Sequence, residues 1–254
     1  MGPWGLPLSI IALLILVSCV VRFSRNLSYR MVGIMTGLLL IAICLLVNTD
    51  GVYQGFDQLM GGANHAYLLV QLTFLFGLFF VKNAFLPDPE KLAAGSRFPV
   101  AAVELGIAVV FGTAVTVLFF LSDLPVTDFR VESYRLQPAV IGFTQLINIY
   151  IGVSSYQLAA RTLRLSRGLS GARRVWYSVM SFGFLIACIA VIERLVAALS
   201  SLSTGQLPAP VYQTVDGIFV LLALLLCTTA ALGLALAHRS RRRTGQSAER
   251  DELF

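Results

Sequence analysis

Few side chains in this sequence can do chemistry, and most of those that can are embedded in apolar runs. Gln145, Asn148, Gly152 and Ser155 are spaced by 3, 4 and 3 residues. On a helix this spacing gathers them on one narrow arc. Thr144 and Tyr156 flank the arc, and Phe143, Leu146, Ile147, Val153 and Leu158 form an apolar side suited to lipid or to packing. Amide side chains cannot face hydrocarbon cheaply, so the stripe is expected to face other helices or water. Two uses stay open. Gln145 and Asn148 could line a solute cavity in the outer half of a membrane, or the stripe could hydrogen-bond between helices with Gly152 as a point of close contact.

Glu193 and Arg194 are adjacent and lie about six residues from the end of their apolar run, roughly 9 Å deep at 1.5 Å per residue. Consecutive residues point about 100° apart on a helix, so they are poorly placed to pair with each other. They are expected to contact other helices or a wet cavity, or to snorkel outward. Glu104 follows Pro99 by five residues. Proline suits a first helical turn, and a carboxylate there meets the positive end of the helix dipole. A stabilising role at the inner surface is favoured over a proton relay.

Several chemistries have no residues to carry them. A retinal Schiff base needs a lysine in the last helix, but the lysines are Lys82 and Lys91, which read as parts of an inner loop. Axial haem ligation needs histidines within helices, and His65 and His238 fall at helix ends. The zinc-protease, serine-nucleophile and phosphate-loop motifs do not occur. Cys19, Cys44, Cys188 and Cys227 each lie in an apolar run with no C-x-x-C spacing, as small packing residues do. The expectation is a protein that is not an enzyme and carries no cofactor and no metal.

The elements that position these residues read as membrane helices. The 254 residues are 57% hydrophobic and 13% charged, with a mean hydropathy of +0.81. A soluble domain carries about 25% charged residues. Seven apolar blocks approach the roughly 20 residues that cross a hydrocarbon core: about 6–21, 31–47, 66–81, 99–121, 139–160, 175–199 and 217–237. Runs such as IIALLILV and LLALLLC show no alternation, which favours helices over barrel strands. The fold expected is an all-α membrane bundle in a single transmembrane domain, 1–238, with a short basic cytoplasmic tail, 239–254.

The basic residues orient it. With the N-terminus outside, Arg22, Arg25 and Arg30, then Lys82, Lys91 and Arg97, then Arg161, Arg164, Arg167, Arg173 and Arg174, then the tail arginines all fall inside. Only Arg130 and Arg135 fall in outer loops. That asymmetry is the positive-inside pattern, and it places the C-terminus in the cytoplasm. It also accounts for the net charge of +6 without nucleic-acid binding. Residues Met1 to Leu6 carry no basic side chain, so the first block reads as a retained anchor and not as a cleaved signal. The outer segments hold Asp50, Asp57, Asp123, Asp128, Glu132 and Asp216. The glycine-rich stretch Thr49 to His65 is expected to be irregular or briefly helical, and Ser200 to Asp216, with Pro208 and Pro210, a loop. Gly33 and Gly37 form a GxxxG that permits close helix contact. The segment RTLRLSRGLSGARR and the tail run RSRRR form a basic inner face that could attract anionic lipid or dock a cytoplasmic protein.

Three stretches carry a resemblance: GGANHAYLLVQLTF, the Tyr150 to Ala160 segment feeding RTLRLSRGLSGARR, and WYSVMSFGFLIACIAVIERL. In these the chain resembles a family of actinobacterial seven-transmembrane integral membrane proteins regarded as transporters. The resemblance implies a seven-helix protein of the cell membrane with no established substrate. Members often continue into a larger cytoplasmic domain, which this chain, ending at Phe254, is expected to lack. The leading expectation is binding or transport of a small solute within the bundle. The alternative is a membrane sensor or assembly partner that docks a cytoplasmic protein through its basic inner face.

Overall fold

The computed structural model describes residues 5–23, 29–85, 97–128, 134, 136–204 and 210–251. Arg25, Lys91, Arg130, Glu132, Arg135 and Pro208 lie outside the described residues, and of 238–251 only the backbone is described. Nearly all of the described residues are helical, with no strand among them. Its helices are α1 (Gly5–Phe23), α2 (Tyr29–Val47), α3 (Asp50–Leu59), α4 (His65–Phe85), α5 (Arg97–Phe120), α6 (Pro138–Arg167), α7 (Gly171–Thr204) and α8 (Pro210–Asp251). Five of them, α4 to α8, are long and apolar enough to cross a membrane. The number is six if α2 and α3, bent by 97° at their junction, count as one span, and α1 is a shorter apolar helix. This is the architecture of a multi-pass membrane helix bundle.

Neighbouring helices run antiparallel. Gly37 meets Gly77 and Val81 across α2 and α4, Gly112 meets Leu72 across α5 and α4, and Gly152 meets Val191 across α6 and α7. Gly183 meets Cys227 across α7 and α8. The helices pack in chain order and close into a ring through α1 against α8. One end of the bundle carries α3 and is called here the cap end. The other carries the α6–α7 turn and is called the arginine end. The GxxxG glycines serve the fold internally: a Cβ on Gly37 would stand 2.6 Å from the Gly77 carbonyl oxygen, so glycine lets α2 and α4 touch backbone to backbone.

Three boundaries differ from the sequence expectation. The segment 200–216 is not simply a loop, because α7 runs on to Thr204 and α8 opens at Pro210, where proline suits a first turn. The arginine-rich segment extends α6 to Arg167 and resumes in α7 at Gly171, whose φ of 62° makes the turn. Leucine, alanine and arginine favour helix, and α6 keeps packing on α7 beyond the apolar run, so hydropathy alone stops both helices short. The tail continues α8 as helix to Asp251. A fourth difference concerns charge. Lys82 is not in a loop but in the last turn of α4, with only 2% of its surface exposed.

The outer surface of the bundle carries exposed apolar stripes. Leu6, Ile10, Leu13, Val17 and Val20 form an exposed stripe on α1, and Ile192, Val196, Leu199 and Leu202 form one on α7. Their spacing of 3 and 4 residues marks a single helix face. The α7 stripe continues past Arg194 towards the cap end, which places Arg194 at the depth of the apolar zone.

Candidate functional site

Two polar constellations stand at membrane depth, one towards each end of the bundle. Both are organised by α6, which packs against α4, α5 and α7.

The cap-end constellation joins three helices. Arg194 on α7 donates to both carboxylate oxygens of Asp216 on α8, at 2.6 and 3.0 Å. This fork-on-fork pairing is the strong geometry for a guanidinium and a carboxylate. A third donor of Arg194 reaches Asn148 Oδ1 on α6 at 3.3 Å, and Asn148 donates in turn to Gln145 Oε1 at 3.1 Å. Glu193 stands within electrostatic reach of Asp216 and Arg194. Its Oε1 is buried without a hydrogen-bond partner among the described residues. The Arg194 and Asp216 side chains are 34% and 26% exposed.

The arginine-end constellation joins α4, α5 and α6. Lys82 Nζ lies 2.5 Å from Glu104 Oε2, with side-chain exposures of 3% and 13%. Tyr150 on α6, whose ring packs 5.5 Å from Phe111 of α5, is within electrostatic reach of Glu104. The buried Tyr150 and Ser154 hydroxyls stand within reach of each other, and Gln157 Oε1 is buried without a hydrogen-bond partner among the described residues. One turn further on, Arg161 donates from Nε to the carbonyl of Phe85, the last residue of α4. A cation at a helix C-terminus satisfies a carbonyl that the helix itself leaves open.

A third cluster, under the cap, is structural. The Asp57 carboxylate on α3 is fully buried and accepts from the backbone N–H of Asn64 and Ala66 and from the Thr127 hydroxyl. It thereby caps the start of α4 from outside that helix. Asn64, at φ 62°, donates to the Val126 carbonyl and accepts from the Tyr53 hydroxyl and the Asp128 N–H. Burial, with the Asp57 charge second, pushes the Tyr53 phenol well above its ordinary value. Every polar group of Asp57 and Asn64 is spent inside this knot. A cavity of about 230 Å³ beside it is lined by His65, Phe119, Phe120 and Asp123. The His65 Nδ1 is bonded to the Gly62 carbonyl.

Of the candidate residues, the structure brings Gln145, Asn148 and Arg194 together and sets Glu193 at their edge. It does not bring Ser155 or Glu104 into that group. Ser155 is buried further along α6, and Glu104 belongs to the other constellation. Gly152 is the contact point between α6 and α7, with a would-be Cβ 2.9 Å from Val191. The apolar side assigned to α6 divides between the two uses expected of it, packing and exposure. Phe143, Ile147 and Leu158 are buried, while Ile149, Val153 and Tyr156 are exposed. Tyr156, at the edge of the polar arc, stands with Ile149 and Val153 on the exposed side of α6.

Sequence reasoning missed Asp216, Lys82, Tyr150 and Ser154. Tyr150, Ser154, Gln157 and Arg161 carried a signal, since intervals of 4, 3 and 4 residues put them on one helical arc opposite Asn148. Asp216, at the edge of an apolar run, and Lys82, read as the first residue of a loop, carried none. No three metal-ligating side chains are gathered among the described residues. No protein family, no curated protein and no solved structure matches this chain.

Proposed function

We propose that this chain is a seven-span protein of the cytoplasmic membrane, cap end outside and arginine end in the cytoplasm, that binds and moves a small charged solute through the cap-end constellation. The observation that carries the reading is the exposure of Arg194 and Asp216. A guanidinium with a third of its surface uncovered sits at the level of lipid-facing Ile192, Val196 and Leu199. A charge at that depth is too costly to leave against hydrocarbon, so its open side faces water between helices. Arg194 supplies hydrogen-bond donors for an anionic group, and Glu193 and Asp216 supply acceptors for a cationic one. The charge asymmetry of the loops supports the sidedness. The resemblance to actinobacterial membrane proteins regarded as transporters supports the class.

The test uses single cysteines in a chain whose four native cysteines are replaced by alanine. Cysteines at Gln145 and Asn148 should react with a membrane-impermeant thiol reagent added outside intact cells, whereas those at Leu146 and Val153 should not. Equal protection at all four positions removes the cleft. Reaction of Gln145 and Asn148 only from the cytoplasmic side reverses the orientation.

A second reading rests on the arginine end. Arg164, Arg167 and Arg174 are exposed, and no acidic residue occurs between Leu158 and Ile192 to neutralise them. Such a surface attracts anionic lipid or an acidic cytoplasmic partner at about 1 kcal/mol per basic residue for lipid. Glutamine at these three positions should abolish a sensor or docking role and leave the cap-end cleft accessible.

A further inference from the structure

Helix α5 ends in two phenylalanines, and α4 opens on a histidine. Consecutive residues of a helix point about 100° apart, so Phe119 and Phe120 diverge. Phe119 turns into the bundle, 3% exposed, and Phe120 turns out, 65% exposed. His65 stands beside both, its ring centroid 6.1 Å from that of Phe119 and 6.3 Å from that of Phe120, tilted by 52° to each. The two phenylalanine rings are 5.6 Å apart and nearly perpendicular, at 85°. No two of these rings are stacked, and all of them line the cavity of about 230 Å³ that Asp123 also lines. Aromatic anchors at a membrane surface are mostly Trp and Tyr, whose amphipathic rings suit the headgroup level. Phenylalanine has no polar tip and offers only its ring.

The polar groups of this wall are nearly all committed. The Ser122 hydroxyl donates to the Leu118 carbonyl. Gln137 holds the Asp123 backbone twice, accepting from its N–H and donating to its carbonyl. This fixes Asp123 beside the rings, yet its carboxylate has no partner among the described residues. The Gly62 carbonyl can only accept, so His65 Nδ1 carries a proton and Nε2 of the neutral ring presents a lone pair. What stays open is negative or electron-rich: a carboxylate, a lone pair and aromatic rings. Ring faces attract a cation within about 6 Å of the centroid. A primary ammonium carries three N–H donors that each want an acceptor, and this wall offers few. A quaternary ammonium wants none, because its charge is spread over methyl groups that lie against rings. The volume equals that of about eight waters, below the roughly 300 Å³ at which drug-sized sites begin, so it suits an ion of headgroup size. We propose that this cavity binds a small quaternary ammonium group, with the rings of His65, Phe119 and Phe120 against its methyls and the Asp123 carboxylate as countercharge. The site shares no residue with the Arg194–Asp216 constellation and does not depend on it.

Saturation-transfer NMR of the full chain in phosphatidylglycerol nanodiscs, which contain no choline, tests it. The probes are choline and its uncharged carbon isostere dimethylbutanol, each corrected for the signal from empty discs. The choline methyls should be saturated and those of the isostere should not. Phe120→Leu and Asp123→Asn should each weaken choline binding at least several-fold. Both side chains are exposed, so neither variant removes a buried contact. Phe120→Trp should retain binding, since indole is the best of the aromatic partners for a cation. Exchanging part of the disc lipid for phosphatidylcholine reads the natural source of the group. Displacement of free choline assigns the same site to a lipid headgroup, and undiminished binding assigns it to a dissolved solute. Equal saturation of choline and its isostere would make the cavity an apolar pocket with no preference for charge. Choline binding unchanged in both Phe120→Leu and Asp123→Asn would place it elsewhere on the chain. Either result, or no binding of choline at all, overturns the proposal.

Discussion

The same chemical pairing, a basic side chain on a carboxylate, is built twice in this bundle under opposite conditions. Lys82 and Glu104 meet through a single contact and are almost completely enclosed. Arg194 and Asp216 meet through two, are joined by Asn148, and remain about a third and a quarter exposed. The difference follows the donor geometry. A guanidinium has five donors in a plane, so it can hold a carboxylate and an amide at once and still offer bonds outward. An ammonium is a compact point charge that satisfies one carboxylate and depends on neighbours for its other protons. The cap-end pair is therefore the one on which the proposed solute site rests. The arginine-end pair is almost closed off from the surface.

The largest expected effect comes from breaking the enclosed pair. Replacing Lys82 with Met or Glu104 with Gln leaves one charged or polar partner buried alone, which costs about 3–5 kcal/mol for a buried pair. Replacing both should recover most of that loss, because two neutral side chains of similar volume need no countercharge. Denaturant unfolding in micelles measures all three variants. A double variant as unstable as the singles would mean that Lys82 and Glu104 hold the helices by packing and not by charge.

The contrast between the two pairs was only half visible in the sequence. Helix positions follow from hydropathy because lipid-exposed backbone must be bonded internally, so apolar length and helix length track each other. That relation fails where helices leave the apolar zone, and there α6, α7 and α8 outrun their apolar cores. Arg194 and Asn148 stood out because they interrupt long apolar runs. Asp216 and Lys82 lie at the edges of theirs, where a charge reads equally well as a loop or as a headgroup anchor, and only three-dimensional pairing separates the cases. Asp57 gave no sign of its capping role, since its partners Asn64, Ala66 and Thr127 come together only after the chain has turned at Gly61 and Gly62. The second polar face of α6 was the legible feature passed over. Tyr150 and Ser154 resemble ordinary packing residues until their shared arc is counted.

A smaller effect is expected from opening the wetter pair. Arg194→Gln or Asp216→Asn should lower stability by about 1–2 kcal/mol, near the upper end for polar contacts in membrane bundles. Part of that contribution should disappear at high salt, because water reaches the pair and ions screen it. The Lys82–Glu104 contribution should hold constant over the same salt range. Equal salt sensitivity of the two would show that the exposures of 34% and 26% do not correspond to access by bulk solution.

The smallest expected loss of stability belongs to Asn148, and it bears most directly on function. Asn148→Leu removes one bond to Arg194 and one to Gln145, while Arg194 keeps both contacts to Asp216. Individual interhelical hydrogen bonds in membrane bundles average about 0.6 kcal/mol, so unfolding should shift by little more than that. A structural amide would leave everything else unchanged. An amide that lines a wet cleft would not, because leucine there presents an apolar wall where water and solute must pass. In Asn148→Leu, a cysteine at Gln145 should react with the impermeant reagent much more slowly than in the native background, out of proportion to the small change in stability. An unaltered reaction rate would make Asn148 a bond between helices and nothing more. A loss of stability as large as that of Lys82→Met would erase the contrast between the two constellations, since both would then be fixed elements of the bundle.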